Sequence, residues 1–257
     1  MFAPLRALAE ATPGAEWPAP HELSRLASAR GVRSGGGHAL RFDLLPGRPA
    51  PGAADYELRI HDEGVVPLRG ANWHDLFNAL VWLAFPRIKA ALNHAHATEL
   101  RARCGGVSQV RSARRDALTL FDESGVLVLS SSAAVLAGLR AFEWQQVFWQ
   151  EREALMSSTR FVIFGHALYE KALSPYVGMS GHALLLHTPH ACAAVDDAAL
   201  LVHADDLAAQ ALRTGIISAR DLSPLPVLGV PGWYGANNDA VFYANTDYFR
   251  PRRTRVL

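Results

Sequence analysis

The residues best suited to chemistry lie in segment 72–78, Asn-Trp-His-Asp-Leu-Phe-Asn, directly before an apolar run at 79–85. Burying such polar side chains is costly unless each has a partner. His74 and Asn78 are one helical turn apart and share a face, whereas Asp75 points about 100° away. Near a helix start, Asp75 also complements the helix dipole. Two interpretations are open: a capped, hydrogen-bonded helix start, or a catalytic and substrate-binding site.

His166 and Glu170 form a second pair, whose i,i+4 spacing directs both side chains to one point. A histidine nitrogen and a carboxylate oxygen are common metal ligands, and they can also act as a general base with its orienting partner. The alternative is a hydrogen bond that ties two helices together. His182 stands in Gly-His-Ala-Leu, the same setting as His166, and is either a third ligand or a satisfied core histidine.

A third group of polar residues surrounds segment 117–129, where two β-prone runs flank an acidic turn that ends in glycine. This pattern predicts a β-hairpin. Acidic hairpin turns are ordinarily solvated. The functional alternative is a site where Asp116, Asp122 and Glu123 hold a hard cation while Arg114 and Arg115 bind an anion.

Together these groups favour a metal-assisted hydrolase of an anionic substrate, with a phosphate as the expected anion and a divalent metal as the expected cofactor. Glu170 is expected to take the proton of the attacking water. The expected metal ligands are His74, His166, His182 and Asp116. The expected catalytic side chains are His74, Asp75 and Glu170. The expected substrate contacts are Asn78, Arg87 and Arg115.

Two other functions are compatible with the same residues. In a non-catalytic binding or scaffold protein they form a buried His/Asp/Asn network, and the arginine-rich tail 248–257 engages a partner. In a nucleic-acid-processing protein, the arginines at 101–115 and in the tail form a basic strip. The net charge of +1 gives no overall field that favours nucleic acid. The sequence contains no GxSxG, HExxH, P-loop or GxGxxG signature.

Composition indicates a globular chain with a sizeable core, because 50% of its 257 residues are hydrophobic. The sequence contains no run of about 18 apolar residues, so no membrane span is predicted. The N-terminus lacks the apolar core of a secretory signal. The two cysteines show no CxxC pattern and fit a reducing compartment, so a cytoplasmic location is expected.

The patterning predicts a predominantly helical α+β fold with a small antiparallel β-sheet or hairpin. Residues 1–54 are expected to form an irregular segment packed on the body, and 55–257 a single domain. The Pro-rich segment 222–233 is expected to lie across the core. Helices are predicted at 21–29, 73–85 after a cap at Asn72, 86–103, 132–155 and 196–213. Strands are predicted at 38–44 and 56–60, and either a helix or a strand leading into one at 161–173.

Several longer blocks carry a family resemblance. They are Asn-Trp-His-Asp-Leu-Phe-Asn-Ala-Leu at 72–80, Phe-Pro-Arg at 85–87, Arg-Asp-Ala-Leu-Thr-Leu-Phe-Asp-Glu at 115–123, Phe-Gly-His-Ala-Leu-Tyr-Glu at 164–170, Pro-Leu-Pro-Val-Leu-Gly-Val-Pro-Gly-Trp at 224–233 and Tyr-Phe-Arg-Pro at 248–251. Through them the chain resembles a bacterial family catalogued as domain of unknown function 3025. The resemblance implies a single unit of bacterial origin. It carries no activity, cofactor or catalytic residue.

Overall fold

The computed structural model describes residues 1–11, 17–45, 52–104, 112–189, 196–216 and 218–252, without the side chains at 53, 54, 103 and 104. The helices are α1 (Arg6–Ala11), α2 (Pro20–Ala29), α3 (Ala53–Glu63), α4 (Trp73–Ala84), α5 (Pro86–Cys104), α6 (Ala113–Ser124), α7 (Ala133–Ala141), α8 (Arg152–Ser158), α9 (His166–Ala172), α10 (Asp197–Thr214) and α11 (Ala240–Tyr243). The strands are β1 (Arg41–Leu44), β2 (Val65–Leu68), β3 (Gly125–Ser130), β4 (Thr159–Ile163), β5 (Ser180–His187) and β6 (Ser223–Pro226).

The strands form two small sheets. The larger has the order β4-β3-β5-β6, in which β3 pairs antiparallel with β4 and parallel with β5, and β5 pairs antiparallel with β6. The smaller is the parallel pair β1-β2. All six residues of β3 are buried, as expected for a central strand covered on both faces. The predominantly helical α+β class is confirmed.

The hairpin predicted at 117–129 is wrong. Residues 117–124 are the second half of α6, and only β3 is extended. Ser112 caps α6 through a hydrogen bond from the backbone N–H of Arg115 to its Oγ, at 3.1 Å. The buried positions that follow include Leu118 and Phe121, a spacing of three that suits a helix face. The acidic turn expected at 122–124 is therefore the last turn of a helix.

Two other local predictions are wrong. Residues 56–60 lie in α3 instead of a strand. The single helix predicted at 132–155 is interrupted, because Phe142 adopts φ +63°, a left-handed conformation that ends α7. A π-helical turn at Gln146–Gln150 then precedes α8.

The other predicted helices are present. Helices α2, α4, α5 and α10 agree with the predicted ranges within a few residues, and 159–172 is a strand leading into a helix. Asn72 caps α4 by accepting the backbone N–H of Asp75 at 3.0 Å. The Pro-rich segment contains β6, and its residues 225–231 are buried in the core. No helix among the described residues has both the length and the apolarity that a membrane crossing requires.

Residues before 54 include α1, α2 and β1, which contribute Leu8, Leu23 and Phe42 to the same core as the rest of the chain. Helix α9 packs against both α4 and α6, and α6 also contacts β3 and β5 of the larger sheet. Each of these helices carries a polar residue that the sequence singled out: His74 lies on α4, Glu123 on α6 and His166 on α9.

Candidate metal centre

A glycine contact fixes the place where α6 and α9 meet. A Cβ on Gly165 would lie 2.5 Å from the backbone N and Cα of Ser124 and from the N of Gly125. The backbone N–H of Gly165 donates to the carbonyl of Gly125 at 2.9 Å. Only glycine permits so close an approach. The first residue of α9, His166, is thereby held beside Glu123 in the last turn of α6.

The third side chain comes from the first turn of α4, which the Asn72 cap orients. His74 Nε2 lies 3.1 Å from His166 Nε2 and 3.9 Å from Glu123 Oε2. His166 Nε2 lies 3.4 Å from the same Glu123 oxygen. Within the described residues, these three form a group whose ligand atoms could share one metal ion.

The triangle of ligand atoms has the size of a metal site. A point equidistant from His74 Nε2, His166 Nε2 and Glu123 Oε2 lies about 2 Å from each atom, given the three measured separations. That radius matches bonds of about 2.0–2.2 Å from zinc to imidazole nitrogen or carboxylate oxygen. Three protein ligands also leave a coordination position for water or substrate, as in catalytic zinc sites.

The outer nitrogens of both histidines face carboxylates. His74 Nδ1 lies 3.1 Å from Glu170 Oε2, so the ionised carboxylate accepts an Nδ1–H and leaves the Nε2 lone pair directed at the centre. His166 Nδ1 faces Asp122, whose Oδ2 is 3.8 Å away, and makes no hydrogen bond of normal geometry within the described residues. Carboxylates in this position orient metal-bound histidines and raise their basicity.

Without a cation this arrangement is poorly satisfied. With His74 protonated at Nδ1, the contact between the two Nε2 atoms needs a proton on His166 Nε2. The lone pair of His166 Nδ1 would then point toward the Asp122 carboxylate. A cation among the three ligand atoms removes this conflict, because His166 can carry its proton on Nδ1.

Burial keeps His166 in the form that binds metals. The side chain is only 5% exposed, and desolvation lowers its pKa to about 3, against a smaller opposing effect of Asp122. The imidazole is therefore neutral at physiological pH. For Glu123, burial and then the charge of Asp122 raise the pKa, so a cation beside its carboxylate would stabilise the ionised form.

The group of ligands lies in the wall of a cavity of about 360 Å³. His74, His166, Glu123 and a further set of polar side chains border it. The polar lining comprises Tyr56, Glu57, Arg69, His74, Asp75, Asn78, His96, Arg115, Thr119, Asp122, Glu123 and His166. This volume falls in the range of about 300–1,000 Å³ that is typical of small-molecule sites.

A buried ion pair supports the Asp122 side of the site. Lys89 Nζ lies 2.7 and 2.9 Å from the two Asp122 oxygens and 2.9 Å from Asn78 Oδ1, and it stands over the ring of Trp82. Asn78 in turn donates to the hydroxyl of Tyr56 at 2.7 Å. Attraction to Lys89 and His166 lowers the pKa of Asp122 against the opposing effect of burial, the largest single influence. Asn78, expected to bind substrate, therefore orients a lysine while it borders the cavity.

Two expected catalytic acids already have partners. Asp75 forms a bidentate pair with Arg69, whose Nη2 lies 2.6 Å from Asp75 Oδ1, and also accepts the backbone N–H of Arg69. Glu170 does not line the cavity and instead accepts from His74. The Asp75 carboxylate is thus placed to position the guanidinium of Arg69, and the Glu170 carboxylate to position the ring of His74.

Three expected site residues lie apart from this group. His182 is on β5, and its Nδ1 lies 2.9 Å from the hydroxyl of Ser124. Asp116 is exposed in the first turn of α6. Arg87 pairs with Asp206 at 3.0 Å on the outer side of α5. In contrast, His74, Asp75, Asn78, Arg115 and His166 all border one cavity.

Arg69, Lys89 and His96 had no assigned role in the sequence, and Glu123 was named only as a cation ligand in the wrongly predicted hairpin turn. Reading 113–124 as a helix places Glu123 on the same face as Arg115 and Thr119, because the three residues repeat every four positions. Arg69 and Lys89 carry no comparable local signal, since their partners are fixed by tertiary contacts.

The comparisons with known proteins give a family and no activity. No significant match to this chain was found among curated proteins or solved structures. A family model described as a protein of unknown function (DUF3025) matches residues 46–253, which include every ligand of the candidate metal centre. Since that match covers most of the chain, the protein belongs to the DUF3025 family.

Proposed function

We propose that this protein is a metal-dependent hydrolase that acts on a small anionic substrate. The observation that carries the proposal is the triangle of His74 Nε2, His166 Nε2 and Glu123 Oε2, with sides of 3.1 to 3.9 Å, in the wall of a cavity. Two histidines and one glutamate with an open position are the ligand set of several hydrolytic zinc enzymes.

A divalent cation in this triangle would polarise the substrate and lower the pKa of a bound water toward about 7. The chain's own residues hold the ligands in place: Glu170 fixes the ring of His74, and Asp122 faces the outer nitrogen of His166. In the reaction, the water oxygen bonds to the electrophilic atom, the bond to the leaving group breaks, and the water proton ends on the leaving group through solvent. One water is consumed for each bond cleaved.

The direct test is metal content. Protein purified without chelator and equilibrated with Zn²⁺ or Mn²⁺ is expected to retain about one ion per chain after desalting, measured by mass spectrometry of the elements. His166→Gln and Glu123→Gln are expected to retain less than about a tenth of that amount. The loaded protein is then screened with phosphomonoesters, carboxylic esters and amides.

Matched controls separate metal loss from a general effect of substitution. His203→Gln and Glu153→Gln change exposed residues on α10 and α8 and are expected to keep the full metal content. If the wild-type protein retains no stoichiometric ion, or if the control variants lose as much metal as the site variants, the proposal is wrong.

A structural role for the same residues is the second candidate. The hydrogen bonds that join Asn78, Lys89 and Asp122 favour it, because they tie α4, α5 and α6 together. In that case His166→Gln lowers the melting temperature of a protein that binds no metal. A wild-type protein with one bound ion excludes this alternative as the whole explanation.

A further inference from the structure

We infer that the Tyr56 hydroxyl donates a hydrogen bond to an oxygen of the group that is hydrolysed, and so contacts the substrate beside the candidate metal centre. This inference rests on the proposed function for the reacting group. It adds to the site a residue of α3 that supplies neither a charge nor a metal ligand.

Lys89 determines the orientation of the Asn78 amide. An ammonium group can only donate hydrogen bonds, so the atom 2.9 Å from Lys89 Nζ is the amide oxygen of Asn78. The amide nitrogen then lies 2.7 Å from the hydroxyl oxygen of Tyr56. Because that nitrogen is also only a donor, the Tyr56 oxygen accepts from it, and the hydroxyl hydrogen of Tyr56 points elsewhere.

The Tyr56 O–H has no acceptor among the described residues, although three carboxylates are near enough to influence the phenol. Asp75 and Asp122 each pair with a cation. Glu57 accepts a hydrogen bond from the Asn93 amide at 2.9 Å. A hydroxyl hydrogen that is withdrawn from bulk water is unfavourable unless a ligand or an ordered water accepts it.

Tyr56 stays protonated at physiological pH. Burial is the main cause that raises the pKa of its phenol well above the ordinary value, followed by the charges of Glu57 and Asp122, against a smaller effect of the hydrogen bond from Asn78. The side chain is therefore a neutral donor. Its hydrogen bond to a substrate oxygen would strengthen as negative charge develops there, as in an oxyanion hole.

The position of Tyr56 brings this donor close to the metal ligands. Tyr56 borders the same cavity as His74 and Glu123, and no other tyrosine, tryptophan or phenylalanine is among the described residues of its lining. The partner of Tyr56, Asn78, lies one turn after His74 on α4, a separation of about 6 Å along the helix. A substrate group of a few atoms spans such a distance.

The test measures binding of inorganic phosphate and acetate to the zinc-loaded protein by calorimetry. These probes are the anions that remain after hydrolysis of a phosphomonoester and of an acetate ester. Tyr56→Phe removes the hydroxyl and keeps the ring, so the zinc content should be unchanged. The dissociation constant of at least one probe should rise about tenfold to a hundredfold. Tyr176→Phe removes an exposed hydroxyl and is the matched control, which should bind both probes as the wild type does.

The ultraviolet difference spectrum of the wild type provides a second measurement, which serves if Tyr56→Phe melts below the assay temperature. The absorption of a phenol changes when its O–H donates to an anion. Addition of a bound probe should therefore produce a tyrosine difference band. A probe that binds the zinc-loaded wild type without this band contradicts the inference.

The outcomes separate this inference from the proposed function. Unchanged zinc content with weaker probe binding in Tyr56→Phe supports both. Equal probe binding in Tyr56→Phe and Tyr176→Phe, or a zinc-loaded wild type that binds neither probe, overturns the role of Tyr56 and leaves the metal centre standing. Loss of zinc in Tyr56→Phe also overturns it, because the hydroxyl then supports the ligands instead of the substrate.

The remaining outcomes concern a wild-type protein that retains no zinc. If such a protein still binds a probe through Tyr56, the donor is supported and the hydrolase is overturned. If it binds neither probe, both are overturned.

Discussion

Buried polar side chains in the C-terminal part of the fold hydrogen bond to main-chain carbonyls, whereas those around the candidate metal centre pair with one another. Asn237 donates to the carbonyls of Leu228 and Val230, at 2.8 and 2.7 Å. The Tyr243 hydroxyl donates to the carbonyl of Gly229 at 2.9 Å. We call Asn237, Tyr243 and Tyr248 the C-terminal cluster.

The metal-site cluster, comprising His74, Lys89, Asp122, Glu123 and His166, has another pattern. Its contacts join side chain to side chain across the four helices α4, α5, α6 and α9, and His166 Nδ1 has no hydrogen bond of normal geometry within the described residues. In the C-terminal cluster, Asn237 Oδ1 is likewise without a partner there. That oxygen belongs to a side chain already fixed by two backbone acceptors, however, whereas His166 faces a cavity.

The difference indicates how each cluster is maintained. A carbonyl acceptor is fixed by the fold, so a side chain that donates to it stabilises the fold and little else. Side chains that satisfy one another can be rearranged or bridged by a ligand, at the risk of large penalties when one member is lost. Substitutions in the two clusters should therefore separate stability from metal binding.

The largest effect on stability is expected from Lys89→Met, which leaves the buried Asp122 carboxylate without its cation. Removing one partner of a buried ion pair lowers the free energy of unfolding by about 3–5 kcal/mol. The double variant Lys89→Met with Asp122→Asn removes both charges and should recover more than half of that loss in urea denaturation. Equal loss in the single and double variants would show that the pair does not act as a unit.

Asn237→Ala should have the next largest effect. It removes the donor from two buried carbonyls and is expected to lower the free energy of unfolding by about 3 kcal/mol, with unchanged metal content. Asn238→Ala is the control, because that neighbour is exposed and should change stability by less than about 1 kcal/mol. Metal loss in Asn237→Ala at a temperature where it stays folded would contradict the separation of the two clusters.

Asp205 is an ionisable side chain that bonds to the main chain, so its effect on stability can be tested by changing the pH. Its carboxylate accepts the backbone N–H groups of Arg87 and Ile88 at 3.0 and 2.8 Å. Burial nevertheless raises its pKa to about 6, from an ordinary value of 3.8. The folded state therefore binds the proton more tightly than the unfolded state. This contribution to stability is complete below pH 3.8 and is lost as pH rises through 6.

The size of that pH effect is on the order of 2 kcal/mol between pH 4 and 7. In urea denaturation across this range, the free energy of unfolding of the wild type should contain this decrease as pH rises, and that of Asp205→Asn should not. Asp206→Asn, at the exposed partner of Arg87, should keep it. A difference between wild type and Asp205→Asn that does not vary with pH would show that the Asp205 pKa is not raised.

The smallest change in stability is expected from Glu170→Gln, since Glu170 is 43% exposed. The amide no longer carries the negative charge that holds the outer N–H of His74, so metal affinity should fall by about tenfold to a hundredfold. Stability of the metal-free protein should change by less than about 1 kcal/mol. Competition with a chromogenic chelator measures the affinity. Unchanged affinity would show that Glu170 does not contribute to metal binding.

The sequence predicted those parts of the fold and site that depend on local signals. The Asn72 cap, the apolar run after it and the i,i+4 pair at 166 and 170 are local patterns, and they place α4 and α9 correctly. The hairpin predicted at 117–129 is wrong because the apolar residues Leu118, Leu120 and Phe121 suit a strand as well as a helix. The cap at Ser112 and burial on one helical face favour the helix.

The composition of the site depended on contacts between distant segments, which a single sequence does not reveal. Lys89 meets Asp122 across 33 residues, and His74 meets His166 across 92. Arg87 and Arg115 look alike in sequence, but the N-terminus of α5 directs Arg87 toward α10 while the cavity face of α6 holds Arg115. Which arginine could reach a substrate was decided by packing.

The contact of Gly165 with Ser124 has a consequence for the choice of metal ion. An added Cβ would force α9 away from α6, because it would lie 2.5 Å from backbone atoms that cannot rotate aside. His166 would then move away from Glu123, and the space between the ligands would widen from the size that suits bonds of about 2.0–2.2 Å toward the 2.3–2.6 Å that calcium prefers. In the proposed metal centre, the ionic radius that the ligands accept should therefore depend on a residue that provides no ligand atom of its own.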